Sequence, residues 1–247
     1  MALGLPEGVR GCLFDMDGVL TRTATVHAAA WKQMFDEFLL EWGRNTGKPT
    51  TPFTTADYET YVDGRARADG TRAFLASRGI TLPEGTAADN TGSPTVQGLS
   101  TRKNEILLKL LATQGVEVFD DAVEYVRAVK AGGLPRAVVS ASANTAQVLD
   151  AAHISDLFDA RIDGIVAAER HLAGKPAPDM YLAAAEALGL RPEQAAVFED
   201  ALAGVEAGRA GKFGLVVGVD RIGHGADLVA HGADLAVTDL RQLLEPA

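Results

Sequence analysis

Two aspartates, Asp15 and Asp17, close the apolar run in LFDMDGVLTRT, residues 13–23. Like charges at the end of a buried strand repel one another and lose hydration, so the pair is costly unless a positive group meets it. Polar residues follow other apolar runs in the same way. Ser140, Ala141, Ser142 and Asn144 lie at and beyond the end of AVVS, Lys175 sits in the loop HLAGKPAPD, and Glu199 and Asp200 close AAVFED. Converging carboxylates require a cation, and an all-oxygen set suits Mg²⁺ rather than zinc or copper. With Mg²⁺ and Lys175 offsetting negative charge and polarising a phosphoryl oxygen, one carboxylate is left to attack phosphorus as a covalent nucleophile. Asp15, at the strand tip, is the candidate nucleophile, and Asp17 is the candidate general acid and base for the leaving oxygen. Ser140 leads through Ser142 and Asn144 to a helix start whose backbone N–H groups can hold an oxyanion.

Each fragment taken alone admits another reading. DMDG resembles the opening of a calcium loop, but the fifth and twelfth positions of such a loop are Val19 and Val26, which offer no side-chain ligand. GKP resembles the end of a phosphate-binding loop, yet Glu169 stands where the first glycine belongs and Pro176 replaces the Ser or Thr after the lysine. Glu199 and Asp200 alone could be a helix cap with first-turn charge. The set is specific because each member ends its own strand or precedes a helix, and ligands of open α/β sheets sit at the carboxyl ends of strands.

The elements that must carry these residues alternate. Strand-like runs at 11–14, 136–142, 195–200, 214–220 and 235–239 are apolar throughout, as parallel strands covered on both faces are. Helical segments at 120–132, 145–154, 178–189 and 201–211 separate the later ones, several closing at glycine. The pattern predicts a Rossmann-like, doubly wound parallel α/β core with right-handed crossovers. Roughly a hundred residues separate the first two strands, far more than a crossover needs. They read as helices at 25–43, 55–64, 67–79 and 100–115, with a Gly-, Pro- and Thr-rich loop at 82–98. The expected organisation is therefore a core of residues 1–22 and 116–247 with a small helical domain, 23–115, inserted in it.

Composition narrows the function classes. Of 247 residues, 47% are hydrophobic, enough for a packed core, and the net charge of −10 argues against nucleic acid or anionic lipid as partners. The single cysteine, Cys12, precludes an intrachain disulfide. The amino terminus lacks a basic region followed by a long apolar run, and no later segment holds the ~18 apolar residues of a membrane span. A cytoplasmic protein without membrane contact is the expectation, with a monomer favoured over an oligomer.

Taken in order, DMDGV, VVSAS, GKPAPD and FEDALAG resemble the four motifs of the haloacid dehalogenase-like phosphotransferases over nearly the whole chain. The resemblance implies that Asp15 is phosphorylated and that Asp17 is the acid and base whose main-chain carbonyl also binds Mg²⁺. It further implies that Glu199 and Asp200 complete the metal site and that Ser140 and Lys175 hold the transferring phosphoryl group. The helical insert resembles the family's small cap, which closes over the site. Within the family, DGVLTRTATVHAAAW and RKN are similar to the β-phosphoglucomutase branch, placing Thr23, His27, Trp31, Lys103 and Asn104 at its cap positions. In that branch the His and Lys hold the acid/base aspartate inactive until the cap closes, and Arg67 would clamp the second phosphate, as guanidinium geometry allows. Without the motif, His27 and Trp31 would read as core packing and Arg65, Arg67 and Arg72 as a solvated face.

Three positions depart from the branch. Ala143 replaces a lysine against the distal phosphate, Arg22 replaces an aspartate and offers a charge in exchange, and Ala201 replaces a serine after the acidic pair. The leading expectation is a mutase moving a phosphoryl group between C1 and C6 of a β-sugar phosphate. Two alternatives are a phosphatase of a sugar phosphate or other small monoester, favoured by Ala143, and a non-catalytic ligand sensor.

Overall fold

In a computed structural model residues 3–244 are described. The first strand, β1 (Gly11–Asp15), is buried at every position. A run of helices follows: α1 (Thr23–Thr46), α2 (Thr55–Asp57) continued by a π-helical turn at Tyr58–Val62, α3 (Arg67–Ser77) and α4 (Val96–Gln114). The chain then alternates through α5 (Asp120–Ala131), β2 (Arg136–Val139), α6 (Thr145–Ala151), β3 (Ala160–Ile162), α7 (Gly164–Glu169) and α8 (Asp179–Ala187). It closes with β4 (Ala195–Glu199), α9 (Leu202–Ala210), β5 (Leu215–Val219), α10 (Gly225–His231) and β6 (Leu235–Val237).

All strand pairs are parallel, in the order β3-β2-β1-β4-β5-β6. The chain thus builds one half of the sheet outward from β1 to β3, returns to the other side of β1, and builds outward again to β6. That reversal makes the carboxyl end of β1 the switch point of a Rossmann-like sheet, where a crevice must open because neighbouring connections leave to opposite sides. Asp15 lies opposite Val139, and Phe14 opposite Phe198, so Asp15, Ser140 and Glu199 emerge side by side at one edge. Behind them Phe14 stacks on Phe198 at 4.5 Å and meets Tyr125 edge-on at 6.2 Å, a rigid apolar floor.

The chain divides into two compact units, Met1–Arg22 with Val116–Ala247, and Thr23–Gly115. The second has its own core, in which Trp31, Phe35, Phe38, Phe53, Phe74 and Leu99 pack together. Its long loop is held by short-range polar contacts. Asp89 accepts from Thr95 at 2.5 Å and Thr86 at 3.1 Å, and Thr95 in turn caps α4 through the Gly98 N–H. The loop therefore ends at Thr95, and residues 96–98, read as loop in the sequence, are the first turn of α4, started by that threonine cap.

Several other boundaries differ from the sequence reading. The helix expected to reach residue 154 stops at Ala151, because His153 adopts φ 54° and the Ile154 N–H turns back to the Leu149 carbonyl. His171 ends α7 in the same way, with φ 54° and Leu172 N–H on the Ala167 carbonyl. The strand read at 136–142 ends at Val139, and Ser140 makes a last bond to β3, its N–H on the Ile162 carbonyl at 3.0 Å. Elements β3, α7 and α10 carry no sequence signal of sufficient length. The three-residue β3 has Arg161 at its centre, paired with Asp163 at 2.7 Å.

Candidate active site

The core unit brings together the strand-end residues. Lys175, from the loop between α7 and α8, is buried with its Nζ 2.5 Å from Asp15 Oδ1 and bonded also to Glu199 Oε1. Glu199 is wholly enclosed. Its Oε1 also accepts from the Tyr181 hydroxyl at 2.7 Å, and its Oε2 accepts from the Ala201 N–H at 3.2 Å. The first turn of α9 packs directly on this carboxylate, since a Cβ at Gly204 would lie 1.9 Å from Glu199 Cδ.

Electrostatics follow from this enclosure. Burial pushes the Asp15 carboxyl well above the usual carboxylate range; Lys175 pulls it back down, while the charges of Glu199 and Asp17 add to the rise. Burial by itself would lower Lys175, but the Asp15 and Glu199 carboxylates more than reverse that, and its ammonium is held above the ordinary lysine range. Lys175 therefore stays charged and is a positive group that meets Asp15, the first of the opening aspartates.

Asp17 follows Asp15 in a tight turn in which the Leu20 and Thr21 N–H groups both return to the Met16 carbonyl, at 2.9 and 3.0 Å. Ser140 Oγ donates to Asp17 Oδ2 at 3.4 Å. The loop after Ser140 uses its own N–H groups: Ser142 N–H on Ser140 Oγ and Asn144 N–H on Ser142 Oγ, both at 3.2 Å. These hydroxyls fold the loop back on its own N–H groups, and Ala141 lies between Ser140 and Ser142. Gly18, at φ 93°, occupies a conformation that disfavours side chains, and a Cβ there would fall 1.7 Å from Asp200 Oδ2. The glycine of DMDG is thus the cradle in which Asp200 rests against the β1 turn.

Asp15, Glu199 and Asp200 each present a carboxylate oxygen within 4.8 Å of the others. Hard oxygen donors at the end of a sheet, one of them seated where only glycine leaves room, fit Mg²⁺. The residues that would hold it are Asp15, Asp200, Glu199 and the Asp17 main chain.

The helical unit gathers a second set. Lys103, buried on α4, lies 3.2 Å from His27 Nδ1 on α1 and 5.1 Å over the Trp31 ring. An ammonium can only donate, so Nδ1 is the acceptor in this contact. Trp31 stacks on Phe35 at 5.2 Å, so core packing and the cation–π contact coexist in one side chain. Arg67, at the start of α3, donates to the Ser100 carbonyl at 3.2 Å, and burial lowers its pKa from the ordinary value. Arg72, by contrast, is half exposed and forks onto Glu84 and Asp69, both at 2.7 Å. Thr23 is buried as the first residue of α1.

Two residues in the core site escaped the sequence reading. Tyr181 sits in the apolar run of α8 and reads as packing until its hydroxyl partner is seen. Arg221, just past β5, donates to the Gly18 and Val19 carbonyls, both at 3.3 Å, pairs with Asp121 at 2.9 Å and lies 3.9 Å over the Phe119 ring. It binds the β1 turn to the opposite half of the sheet. Arg22 lies 4.2 Å over Phe119 as well and 3.9 Å from Glu117.

Among the described residues no helix is long and apolar enough to cross a membrane. Comparison with known proteins accords with the site. A haloacid dehalogenase-like hydrolase model matches residues 9–212. The chain is 54% identical over 246 residues to a β-phosphoglucomutase of Mycobacterium tuberculosis, covering 98% of this chain and 94% of that one. A crystal structure of β-phosphoglucomutase from Clostridium difficile superposes with a TM-score of 0.74 at 24% identity, covering 95% and 93% of the two chains. CbbY of Rhodobacter sphaeroides, solved with xylulose-(1,5)bisphosphate, gives 0.68 at 20% identity, covering 94% and 95%. With its six-stranded parallel sheet and its ordered carboxylates, the chain belongs to the haloacid dehalogenase-like hydrolase family, as an enzyme similar to β-phosphoglucomutases.

Proposed function

We propose that the protein is a Mg²⁺-dependent mutase that interconverts a β-sugar 1-phosphate and the sugar 6-phosphate through phospho-Asp15 and a sugar bisphosphate. The observation that carries this reading is Asp15 itself, a buried carboxylate at the switch point of the sheet, held by Lys175 and next but one to Asp17. Bound Mg²⁺ would supply charge neutralisation and polarise the transferring phosphoryl group. An Asp15 oxygen attacks phosphorus of the bisphosphate, the bond from phosphorus to the sugar oxygen breaks, and Asp17 delivers the proton that oxygen needs. In the reverse sense Asp17 takes the proton of the other sugar hydroxyl, whose oxygen attacks phospho-Asp15 and releases the carboxylate. Lys175 and Ser140 hold the phosphoryl oxygens between the two half-reactions.

A mutase must hand the phosphoryl group to sugar in preference to water, so it needs exclusion of water and a grip on the second phosphate. In this proposal the helical unit is the cap, Thr23, His27, Trp31 and Lys103 serve its sugar-facing side, and Arg67 takes the distal phosphate. The high identity to a β-phosphoglucomutase over almost the full length supports the sugar 1-phosphate substrate class. Ala143, where the branch has a lysine, supports the second reading, a phosphatase of a small sugar phosphate. ³¹P NMR with Mg²⁺ and β-glucose 1-phosphate, primed by a trace of glucose 1,6-bisphosphate, separates the two. The mutase yields glucose 6-phosphate without inorganic phosphate, the phosphatase yields inorganic phosphate, and Asp15→Asn abolishes either.

A further inference from the structure

We propose that Tyr181 is a positioning residue that sets how Lys175 divides its charge between Glu199 and the reacting group on Asp15. The inference rests on the reading of Asp15 as the phosphoryl acceptor. Tyr181 is wholly buried on α8, and its hydroxyl donates to the same Glu199 oxygen that Lys175 contacts, at 2.7 Å. Its ring face lies 5.1 Å from Lys175 Nζ, and its ring meets Phe213 at 6.0 Å in an edge contact. The tyrosine therefore touches both partners of the ion pair while the sheet side of the core fixes the ring.

The consequence is chemical. Lys175 has two buried anions to satisfy, and during turnover its third obligation is the phosphoryl oxygen that arrives on Asp15. A carboxylate buried with one cationic donor draws that donor fully onto itself, because charge-assisted bonds strengthen as water is excluded. Tyr181 supplies Glu199 Oε1 with a second, neutral donor, and the Ala201 N–H supplies Oε2. With its oxygens met from the protein side, Glu199 anchors Lys175 without monopolising it. Without the hydroxyl, Glu199 Oε1 leans on Lys175 alone, and the ammonium shifts away from Asp15. The ring is not the active part, since phenylalanine would preserve the packing on Lys175 and Phe213.

The test is Tyr181→Phe in the full chain. Lys175 Nζ is buried, so its ammonium protons are observable in ¹H–¹⁵N correlation spectra. The expected result is a displaced Lys175 resonance together with a kcat ~10–100-fold lower, the range of one lost bond to a charged group, at a KM changed less than about twofold. The lost buried bond also lowers the melting temperature by several degrees, with the fold retained. An unmoved Lys175 resonance, or a wild-type kcat, overturns the proposal. If wild-type protein converts no sugar phosphate, the functional reading has failed, and the Lys175 resonance alone then decides whether Tyr181 governs the lysine.

Discussion

Lys175→Met replaces the cation held between Asp15 and Glu199 with a side chain of similar length and no charge. The side chains of Lys175, Asp15 and Glu199 are 1%, 9% and 0% exposed, so neither carboxylate can turn to water when the lysine is gone. Removing one partner of a buried ion pair costs about 3–5 kcal/mol. At ~2–4 °C per kcal/mol for a unit of this size, melting near pH 8 falls by about 10 °C. The loss carries a sign with pH. Burial already holds the Asp15 carboxyl well above the ordinary carboxylate range, against the opposing pull of Lys175. Without Lys175 that carboxyl rises further. A group whose folded pKa exceeds its unfolded value favours the fold below the unfolded pKa, and this contribution disappears as pH rises through the folded one. The variant can take up a proton at Asp15 in acid, so its deficit against wild type narrows toward pH 5 and widens toward pH 8. Thermal unfolding followed by circular dichroism, in EDTA and at one-unit steps from pH 5 to 8, reads the difference. A deficit constant across that range, or largest at pH 5, would refute the account of Lys175 as the charge that opposes the burial-driven rise at Asp15.

Gly18→Ala places a Cβ 1.7 Å from Asp200 Oδ2 at a backbone φ of 93°, so Asp200 must leave its cradle. Calorimetric titration with Mg²⁺ is expected to show affinity at least ~10-fold weaker with the fold retained, and wild-type affinity would remove Asp200 from the metal set. Arg221→Ala breaks the pair with Asp121, whose side chains are 13% and 7% exposed, along with the bonds to the β1 turn. The expected cost is about 3–5 kcal/mol in urea unfolding. Arg221→Lys should recover only part of it, because an ammonium cannot fork onto several acceptors; full recovery would reduce the role of Arg221 to its charge.

The carboxylates were legible in the sequence because chemistry and topology coincide there. An apolar run that ends in Asp or Glu declares both a buried strand and a residue at its carboxyl tip, and the α/β alternation places such tips on one edge. Asp15, Ser140 and Glu199 therefore meet as neighbours in the sheet, and Lys175 is buried between the two carboxylates. Elements without an apolar run of their own were not legible. The strand β3 is three residues long with a charged residue at its centre, and its strand character comes from pairing with β2. The stops of α6 and α7 depend on His153 and His171 at positive φ, a conformation that few non-glycine residues adopt and that the residue type alone does not announce.

What the sequence determined by itself was the inventory of the candidate site, four acidic groups and one lysine, and the α/β alternation of the longer elements that carry them. Only the tertiary structure decided how each polar atom is shared. Tyr181 lies in an apolar helical run and Arg221 in a glycine-rich loop, so neither is distinguished by type or spacing from packing and solvated residues. The tyrosine becomes part of the site because α8 brings its hydroxyl to Glu199, and the arginine because β5 delivers it to the carbonyls of the β1 turn. Burial strength and charge sharing depend on distances between residues far apart in the chain, and those distances exist only once the sheet has closed around them.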